Sequence, residues 1–277
     1  MTRSGDRPPH ADAPVPTRPG LRLRFAPELR FLLAVRHRRE DEVLVPHDGT
    51  STLGHVVQSL GVPLTEVGEL TAGGRALRPS HRPRGEETVT VSPVRRPQDP
   101  RSVPHGAPPS FVLDVHLGAL ARRLRLLGLD AAYRNDMSDH ALVEQAGAEH
   151  RLLLTQDRGL LQRRALWLGA YVRGARPDAQ LLDVLDRFAP PLAPWTRCMA
   201  CNGLLTPVPK EEIAGRLPPG TRRTYRSFMR CRDCGRLYWR GAHSGRLEET
   251  VAAARAAVTD AARSASRGTP RGGPPVR

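Results

Sequence analysis

The stretch Phe111-Val112-Leu113-Asp114 and the run GALARRLRLLG at residues 118–128 decide the fold of the central part of the chain. The first stretch is a short apolar strand that ends at an aspartate. In the second, leucines recur at helical spacing with arginines between them, and Gly128 ends the helix. A buried strand followed by an amphipathic helix is the unit from which α/β domains are built.

The same unit recurs three more times before residue 190. Further strands are predicted at residues 131–134, 152–155 and 167–173, and each precedes a helical pattern. Strands that alternate with helices predict a parallel sheet covered by helices on both faces. We therefore expect an α/β domain over residues 110–190.

An aspartate follows every one of these strands within five residues: Asp114, Asp136 or Asp139, Asp157 and Asp178. The carboxyl ends of parallel strands share one edge of the sheet, where ligands bind, so the aspartates are expected to meet there. Clustered carboxylates repel one another unless a hard cation such as Mg²⁺ or Mn²⁺ lies between them. Such a cation activates water and stabilises charge on a phosphate, which predicts a phosphodiesterase site.

A second interpretation is that these aspartates are helix N-caps, a position that Asp favours. It applies most readily to Asp136, Asp139 and Asp178, which lie in polar stretches. Asp114 argues against it, because a charge inside the run Phe-Val-Leu-Asp-Val is costly without a partner. Asp157, directly after Leu-Leu-Leu-Thr-Gln, is nearly as suggestive.

The four cysteines of the chain form two C-x₂-C pairs, Cys198 with Cys201 and Cys231 with Cys234. Two such pairs predict a zinc ribbon in which four thiolates hold a structural Zn²⁺ tetrahedrally, with no position left for water. The long spacing between the pairs predicts an inserted helix near residues 210–216. Disulfides are the alternative and suit an oxidising compartment.

Charge is concentrated in the same region. The chain carries 43 Lys+Arg against 28 Asp+Glu, and residues 191–247 alone hold 11 basic and 3 acidic side chains. Arginines alternate there with Tyr225, Phe228, Tyr238 and Trp239, a pattern typical of single-stranded nucleic-acid binding. We expect this surface to hold a single-stranded nucleic acid beside the acidic edge, through Arg226, Arg230, Arg232 and Arg236 among others.

Composition also sets the class of protein and its division into segments. No run of 18 apolar residues and no signal-like h-region occurs, so we expect a cytoplasmic protein without a membrane partner. Proline- and glycine-rich stretches predict disorder at residues 1–20, a linker at 97–109 and a partly disordered tail at 248–277. Between them lie segments 21–96, 110–190 and 191–247.

The segment 21–96 has the order strand, strand, helix, strand, strand. The strands are expected at residues 21–25, 42–45, 69–71 and 88–91, and the helix begins after Thr50 or Ser51. This order resembles the β-grasp fold of ubiquitin-like and sulfur-carrier proteins. The free C-terminal Gly-Gly through which those carriers act is missing, because Val91-Ser92-Pro93-Val94 continues into the linker. The resemblance implies a module that docks a protein partner.

The central and cysteine-containing segments, about residues 110–247, resemble the Mut-seven C-terminal RNase family. The motifs are Phe111-Val112-Leu113-Asp114, the helix 118–128, Asp139 and Arg151-x-Leu-Leu-Thr-x-Asp157. The resemblance implies a PIN-like fold and a metal-dependent ribonuclease, with Asp114, Asp139 and Asp157 as metal-binding acids and Arg122 and Arg125 as basic motif residues. The β-grasp segment is similar to the ubiquitin-like domain that often precedes this family. One departure is Gln156, where the family motif has arginine.

Two functions from different classes follow from these patterns. The first is a ribonuclease that cleaves single-stranded RNA with Asp114, Asp139 and Asp157 as its catalytic acids, with Asp136 and Asp178 as further candidate ligands of Mg²⁺ or Mn²⁺. The second is a non-catalytic RNA-binding or ribosome-associated adaptor, in which the acids are helix caps and the ribbon binds RNA. A docking protein that acts through its β-grasp domain is a third.

Overall fold

The structure is a computed structural model that describes residues 20–47, 49–84, 86–98, 108–241 and 244–268. Residues 1–19, most of the linker expected at 97–109, and residues 269–277 of the tail lie outside the described residues. Within the described part of the chain, no helix is long and apolar enough to cross a bilayer.

The N-terminal domain is a five-stranded sheet with one helix packed on it. Its strands lie in the order β2-β1-β5-β3-β4, with β1 and β5 parallel at the centre and the other pairs antiparallel. The helix α1 spans Leu53–Ser59, and the strands are β1 (Gly20–Phe25), β2 (Val43–Pro46), β3 (Val67–Ala72), β4 (Arg75–Leu77) and β5 (Thr88–Pro93).

The expected strands and helix of this domain are all present, and the structure adds β4. Gly73 and Gly74 connect β3 to β4 with φ values of 54° and 77°. Positive φ at both positions of a two-residue turn suits the twist of an antiparallel hairpin and favours glycine. The three-residue strand β4 after this turn was not among the expected elements, because three residues are too few to show a strand pattern.

The central domain is a four-stranded sheet in which all neighbouring strands are parallel, in the order β7-β6-β8-β9. Helices alternate with the strands as predicted. The strands are β6 (Phe111–Leu113), β7 (Ala131–Tyr133), β8 (Leu152–Thr155) and β9 (Gly169–Tyr171), and the helices are α2 (Gly118–Leu126), α3 (Asp139–Ala148), α4 (Arg158–Leu161) and α5 (Pro177–Phe188).

Side-chain alternation along the strands explains why helices cover both faces. Phe111 and Leu113 belong to the core cluster that includes residues of α2 and α5. Val112, between them, points to the other face and packs with Leu142 and Val143 of α3. Successive strand residues point to opposite faces, so a strand that is apolar at every position needs two cores. The predicted two-sided α/β architecture is confirmed.

The segment after α5 forms a small antiparallel sheet, which we call the cysteine module (residues 196–241). Its strands are β10 (Leu205–Val208), β11 (Phe228–Cys231) and β12 (Leu237–Tyr238), in the order β10-β11-β12. Two short helices, α6 (Lys210–Ile213) and α7 (Pro219–Thr224), connect β10 to β11. The insertion expected at residues 210–216 is α6 followed by a 3-10 turn.

Much of the segment 248–277, expected to be a partly disordered tail, lies in a helix that the sequence analysis did not predict. Residues Gly245–Gly268 form the 24-residue helix α8. Val251 and Ala254 of this helix are buried in the same core as α2 and α5. Small apolar residues spaced three and four apart give the helix a narrow buried face. The central core is therefore completed by residues that follow the cysteine module.

The N-terminal and central domains are joined through a buried ion pair. Arg187 Nη1 of α5 lies 2.6 Å from Glu66 Oε1, and both side chains are at most 1% exposed. The same Glu66 oxygen accepts a hydrogen bond from the Tyr171 amide at 2.8 Å. Arg96, at the end of the N-terminal domain, adds a contact of 2.7 Å to Asp183. The two domains therefore meet through specific charged groups.

Candidate active site and cysteine cluster

Asp114 lies at the carboxyl end of β6, at the edge where the four parallel strands end. It is only 7% exposed, and both of its carboxylate oxygens accept hydrogen bonds. The Thr155 hydroxyl donates to Oδ2 and the Val115 amide donates to Oδ1, each at 2.6 Å. Two hydrogen-bond donors fix the orientation of the carboxylate and offset the free-energy cost of burying its charge.

Asp157 follows the neighbouring strand β8 and reaches the same edge. Its amide donates to the Thr155 hydroxyl at 2.9 Å, so one threonine side chain connects the two aspartates. The Asp157 carboxylate also caps α4, because Oδ1 accepts the amide of Gly159 at 2.7 Å. Asp114 is a cap as well, because its side chain accepts the amide of Val115 at the start of the 3-10 turn Val115–Leu117. The cap interpretation therefore applies in part to Asp114 and Asp157, whereas α3 and α5 are not capped by an aspartate side chain.

The other three candidate acids each form an ion pair with an arginine. Asp139 Oδ2 lies 3.0 Å from Arg163, which follows α4. Asp136 is paired at 3.0 Å with Arg134 in the loop after β7. Asp178, at the start of α5, is paired at 2.7 Å with Arg123 of α2. The Asp136 and Asp178 pairs are largely exposed, so solvent screens them and they contribute little to stability.

The structure brings the predicted acids to one edge but does not gather three of them around one point. Among the described residues, the only group of three or more metal-binding side chains within joint reach of one ion is the set of four cysteines. Asp114 and Asp157 share Thr155, whereas Asp139 is directed to Arg163. At this edge the Thr155 hydroxyl joins the Asp114 carboxylate to the Asp157 backbone amide, and the Asp139 carboxylate is paired with Arg163.

Arg125 does not present its guanidinium to a nucleic acid, contrary to the expectation. It is 3% exposed and donates to the carbonyl oxygen of Ala131 at 2.8 Å. A second donor bonds the carbonyls of Met199 and Ala200 in the cysteine module. Burial lowers the pKa of this guanidinium. Arg125 therefore fastens the module to α2.

The remaining basic candidates are accessible. Exposed side chains are found at Arg122, Arg226, Arg230, Arg232 and Arg236. Gln156, which stands where the family motif has arginine, uses its amide nitrogen to bond the carbonyls of Val172 and Gly174 at 2.9 Å each. It therefore links β8 to the segment after β9 and is not directed at a phosphate.

The four cysteines come together as the sequence predicts. The Sγ atoms of Cys198 and Cys234 lie 3.7 Å apart and those of Cys201 and Cys231 lie 3.4 Å apart. A tetrahedral zinc with Zn–S bonds of about 2.3 Å separates its sulfurs by about 3.8 Å. The donor set and its spacing therefore fit a zinc ion.

The surroundings of Cys198 lower the pKa of its thiol. Burial opposes a charge on Cys198, but a hydrogen bond from the Tyr238 hydroxyl at 3.0 Å and bonds from the backbone of Cys201 and Ala200 outweigh it. Together they lower the pKa of the Cys198 thiol to about 6. The thiolate is the form that binds metal, so this environment favours a metal ligand.

The cysteine module is attached to the end of the sheet opposite to the acids. Asn202 Oδ1 accepts the amide of Ala131, the first residue of β7, at 3.1 Å. The Asp130 carboxylate binds Asn202 at 2.8 Å and Arg197 at 3.1 Å, and it also binds Arg151. A three-residue strand is about 10 Å long, so the module is joined at about that distance from the acids. The sequence pattern had predicted a position beside them.

The network around Asp130 could not be recognised from local sequence. Arg197 and Asn202 lie 67 and 72 residues further along the chain, and no local periodicity connects them to Asp130. The only available signal was that Asp130 directly precedes an apolar strand.

The fold and the site together define a class: a parallel α/β domain with an acidic carboxyl edge and a four-cysteine module, preceded by a strand-rich domain. A family model described as the Mut7-C RNAse domain matches residues 109–251, and one described as Mut7-C ubiquitin matches residues 19–99. The chain belongs to the Mut7-C RNAse domain family, with a ubiquitin-like domain in front. Neither the curated proteins nor the solved structures give a significant match.

Proposed function

We propose that this protein is a metal-dependent ribonuclease that hydrolyses phosphodiester bonds of single-stranded RNA at the carboxyl edge of its parallel sheet. The observation that carries the proposal is the placement of Asp114 and Asp157 on neighbouring strands, joined by Thr155, within a domain that the RNase family model matches. A buried carboxylate at a strand end is costly unless it serves the structure or a ligand.

The donor set at this edge fits Mg²⁺ or Mn²⁺. Mg²⁺ is commonly held by one or two carboxylates together with water and substrate phosphates, so Asp114 and Asp157 suffice as protein ligands. A bound cation would lower the pKa of a water molecule and stabilise negative charge on the scissile phosphate. Thr155 holds Asp114 in place, and Asp139 supplies a third carboxylate once it leaves Arg163. Asp136 and Asp178 are not needed in this site.

The cysteine module is assigned a structural role and an RNA-binding role. A zinc ion held by Cys198, Cys201, Cys231 and Cys234 has no free coordination position, so it stabilises the module and performs no chemistry. Exposed arginines at positions 226, 230, 232 and 236 supply positive charge for phosphates. Free thiols are typical of a reducing compartment, which is consistent with a cytoplasmic protein.

The ubiquitin-like domain is the proposed docking module for a protein partner. Val35 is 77% exposed and Leu44 is 63% exposed on this domain. A single exposed apolar side chain is common on protein surfaces. On a domain without a conjugation tail, we propose that these two side chains contact a protein partner.

A cleavage assay tests the ribonuclease directly. Labelled single-stranded RNA is incubated with the zinc-loaded full chain in Mn²⁺, in Mg²⁺ and in EDTA. We expect cleavage with a divalent cation, none in EDTA, and a loss of about 100-fold or more in Asp114→Asn, since it removes a charged ligand. The matched control is Glu144→Gln, an exposed acid of α3 that should cleave like the parent. Cleavage that persists in EDTA and in Asp114→Asn contradicts the proposal.

A second candidate is the non-catalytic RNA-binding adaptor. The observation in its favour is that Asp139 is paired with Arg163, so three acids do not share one point in the described residues. In that case RNA binds with equal affinity with and without a divalent cation, and no condition yields cleavage.

A further inference from the structure

A cavity of about 550 Å³ opens between the cysteine module and the segment that follows α5. Four aromatic side chains line it: Trp195, Tyr225, Tyr238 and Trp239. Its volume is in the range of sites that bind small organic ligands. Neither the acidic edge nor the cysteine cluster uses this cavity.

The rings of the cavity are held in fixed positions by the module. The Tyr238 hydroxyl donates to Cys198 Sγ at 3.0 Å, which connects this ring to the metal-binding set. Trp239 packs against the buried Phe228 with ring centroids 6.3 Å apart. Rings that are already ordered lose little conformational entropy when a planar ligand stacks on them. The cavity is therefore preformed for a flat, apolar group.

Trp195 forms the opposite wall and adopts an unusual backbone conformation. Its φ is 67°, a value that bulky residues rarely take, and its amide donates to the Leu126 carbonyl at 3.0 Å. The Arg240 guanidinium lies 5.4 Å from the centre of the indole ring. The indole ring of Trp195 and the guanidinium of Arg240 therefore lie together in the lining of the cavity.

The charged side chains around the cavity indicate which kind of molecule contains the flat group that would bind there. Arg226 and Arg240 line the opening and are exposed, and Arg222 and Arg223 lie just before Arg226 in α7. Arg240 also forms an exposed ion pair with Glu248 at 3.8 Å. Arginine forks match phosphate groups, and guanidinium planes also stack on bases. Aromatic rings beside exposed arginines are the combination that holds single strands without sequence readout.

We propose that this cavity binds one unstacked base of single-stranded RNA, with Arg226 and Arg240 on the flanking phosphates. The choice of RNA rests on the proposed function. Because the module is attached at the sheet end opposite to Asp114, the cavity is a subsite distant from the acids. The substrate is then a single strand long enough to reach from the acidic edge to the cavity.

The test measures RNA binding without cleavage. All proteins carry Asp114→Asn in the zinc-loaded full chain, and fluorescence anisotropy follows a labelled oligouridylate long enough to span both sites. Trp239→Ala removes a stacking surface, and Ser227→Leu fills the cavity from its exposed rim without removing a ring. Each is expected to weaken binding by roughly 5- to 150-fold, the range for loss of one stacked base.

Leu204→Ala is the matched control, because Leu204 is an exposed apolar residue of the same module outside the cavity. It should bind RNA like the parent. Zinc content and the thermal midpoint are measured for every variant, and Ser227→Leu decides the outcome if Trp239→Ala does not fold.

The inference is overturned if Ser227→Leu and a folded Trp239→Ala bind RNA as tightly as Leu204→Ala, since the cavity would then serve another ligand, such as an apolar side chain of a protein. It is supported if both lose affinity. Loss of affinity in these variants, together with no cleavage under any metal by the protein that retains Asp114, would leave the cavity assignment standing and refute the ribonuclease.

Discussion

Arg125 shows how a residue in the right motif acquires a different role. It lies four residues after the buried Ala121 on α2, and thus at the border of the apolar stripe. Helical spacing alone places it near the buried face, but its acceptors, Met199 and Ala200, lie more than 70 residues away. The sequence therefore could not separate Arg125, which fastens the module, from the exposed Arg122.

Asp130 offers a pH-dependent test at the scale of one residue. Burial raises its pKa, but hydrogen bonds from Arg151 and Asn202 and the charge of Arg197 outweigh this and hold the pKa below its usual value. A carboxyl group whose pKa is lowered by folding stabilises the protein above its unfolded pKa of about 4 and loses this contribution as pH falls through the folded value.

We expect Asp130→Asn to destabilise the protein by about 2–3 kcal/mol at pH 7, because two arginines lose a charged acceptor. The difference in the free energy of unfolding between Asp130→Asn and the parent should shrink as pH falls below about 4, where the Asp130 carboxylate of the parent becomes protonated. Urea unfolding at several pH values measures both. A difference that stays constant down to pH 2 would argue against a charged Asp130 as the source of the stability.

At the scale of elements, α8 belongs to the central core although the cysteine module separates it from α5 in sequence. Ala254 is fully buried in that core, whereas Ala252, on the same helix, is exposed. We expect Ala254→Asp to cost about 3 kcal/mol or more, because it buries an unpaired charge. Ala252→Asp should change the free energy of unfolding by about 0.5 kcal/mol or less. Equal effects in chemical denaturation would show that α8 does not pack on the core.

The elements that the sequence predicted well are those with strong local patterns. Strands such as Leu152–Thr155 are recognisable from an apolar run, and helices such as Pro177–Phe188 from the helical spacing of their apolar residues. The C-x₂-C pairs predicted the cysteine cluster because two pairs supply a complete donor set. The helix α8 was missed because its buried positions are mainly alanine, which gives a weak amphipathic signal.

The acidic edge was predicted only in part. Parallel topology correctly placed Asp114 and Asp157 at neighbouring strand ends. The arginines that pair with Asp139 and Asp178 come from other elements, so the positions of these two acids depend on tertiary contacts that local sequence does not encode. Asp136 pairs with Arg134, two residues before it in the same loop. The expected cluster of aspartates around one ion is not formed among the described residues.

For the whole molecule, the pair Glu66–Arg187 is the buried ion pair that joins the ubiquitin-like domain to the central domain. Arg187→Met leaves the Glu66 charge buried without its partner and is expected to cost about 3–5 kcal/mol. The matched control is Arg95→Met, which breaks an exposed contact of 3.9 Å to Glu69 and should cost at most about 1 kcal/mol. Thermal or urea unfolding compares the two. Similar, small effects would mean that the domains are joined mainly by other contacts.

Direct binding of a divalent cation tests whether Asp114 and Asp157 form a metal site at the carboxyl edge of the sheet. Electron paramagnetic resonance measures free Mn²⁺ during titration of the zinc-loaded full chain. We predict binding that weakens by at least about tenfold in Asp114→Asn and in Asp157→Asn, and that is unchanged in Asp178→Asn, whose carboxylate is paired with Arg123. Mn²⁺ affinity that is the same in all three variants, or no binding by the parent, would contradict a metal site formed by Asp114 and Asp157.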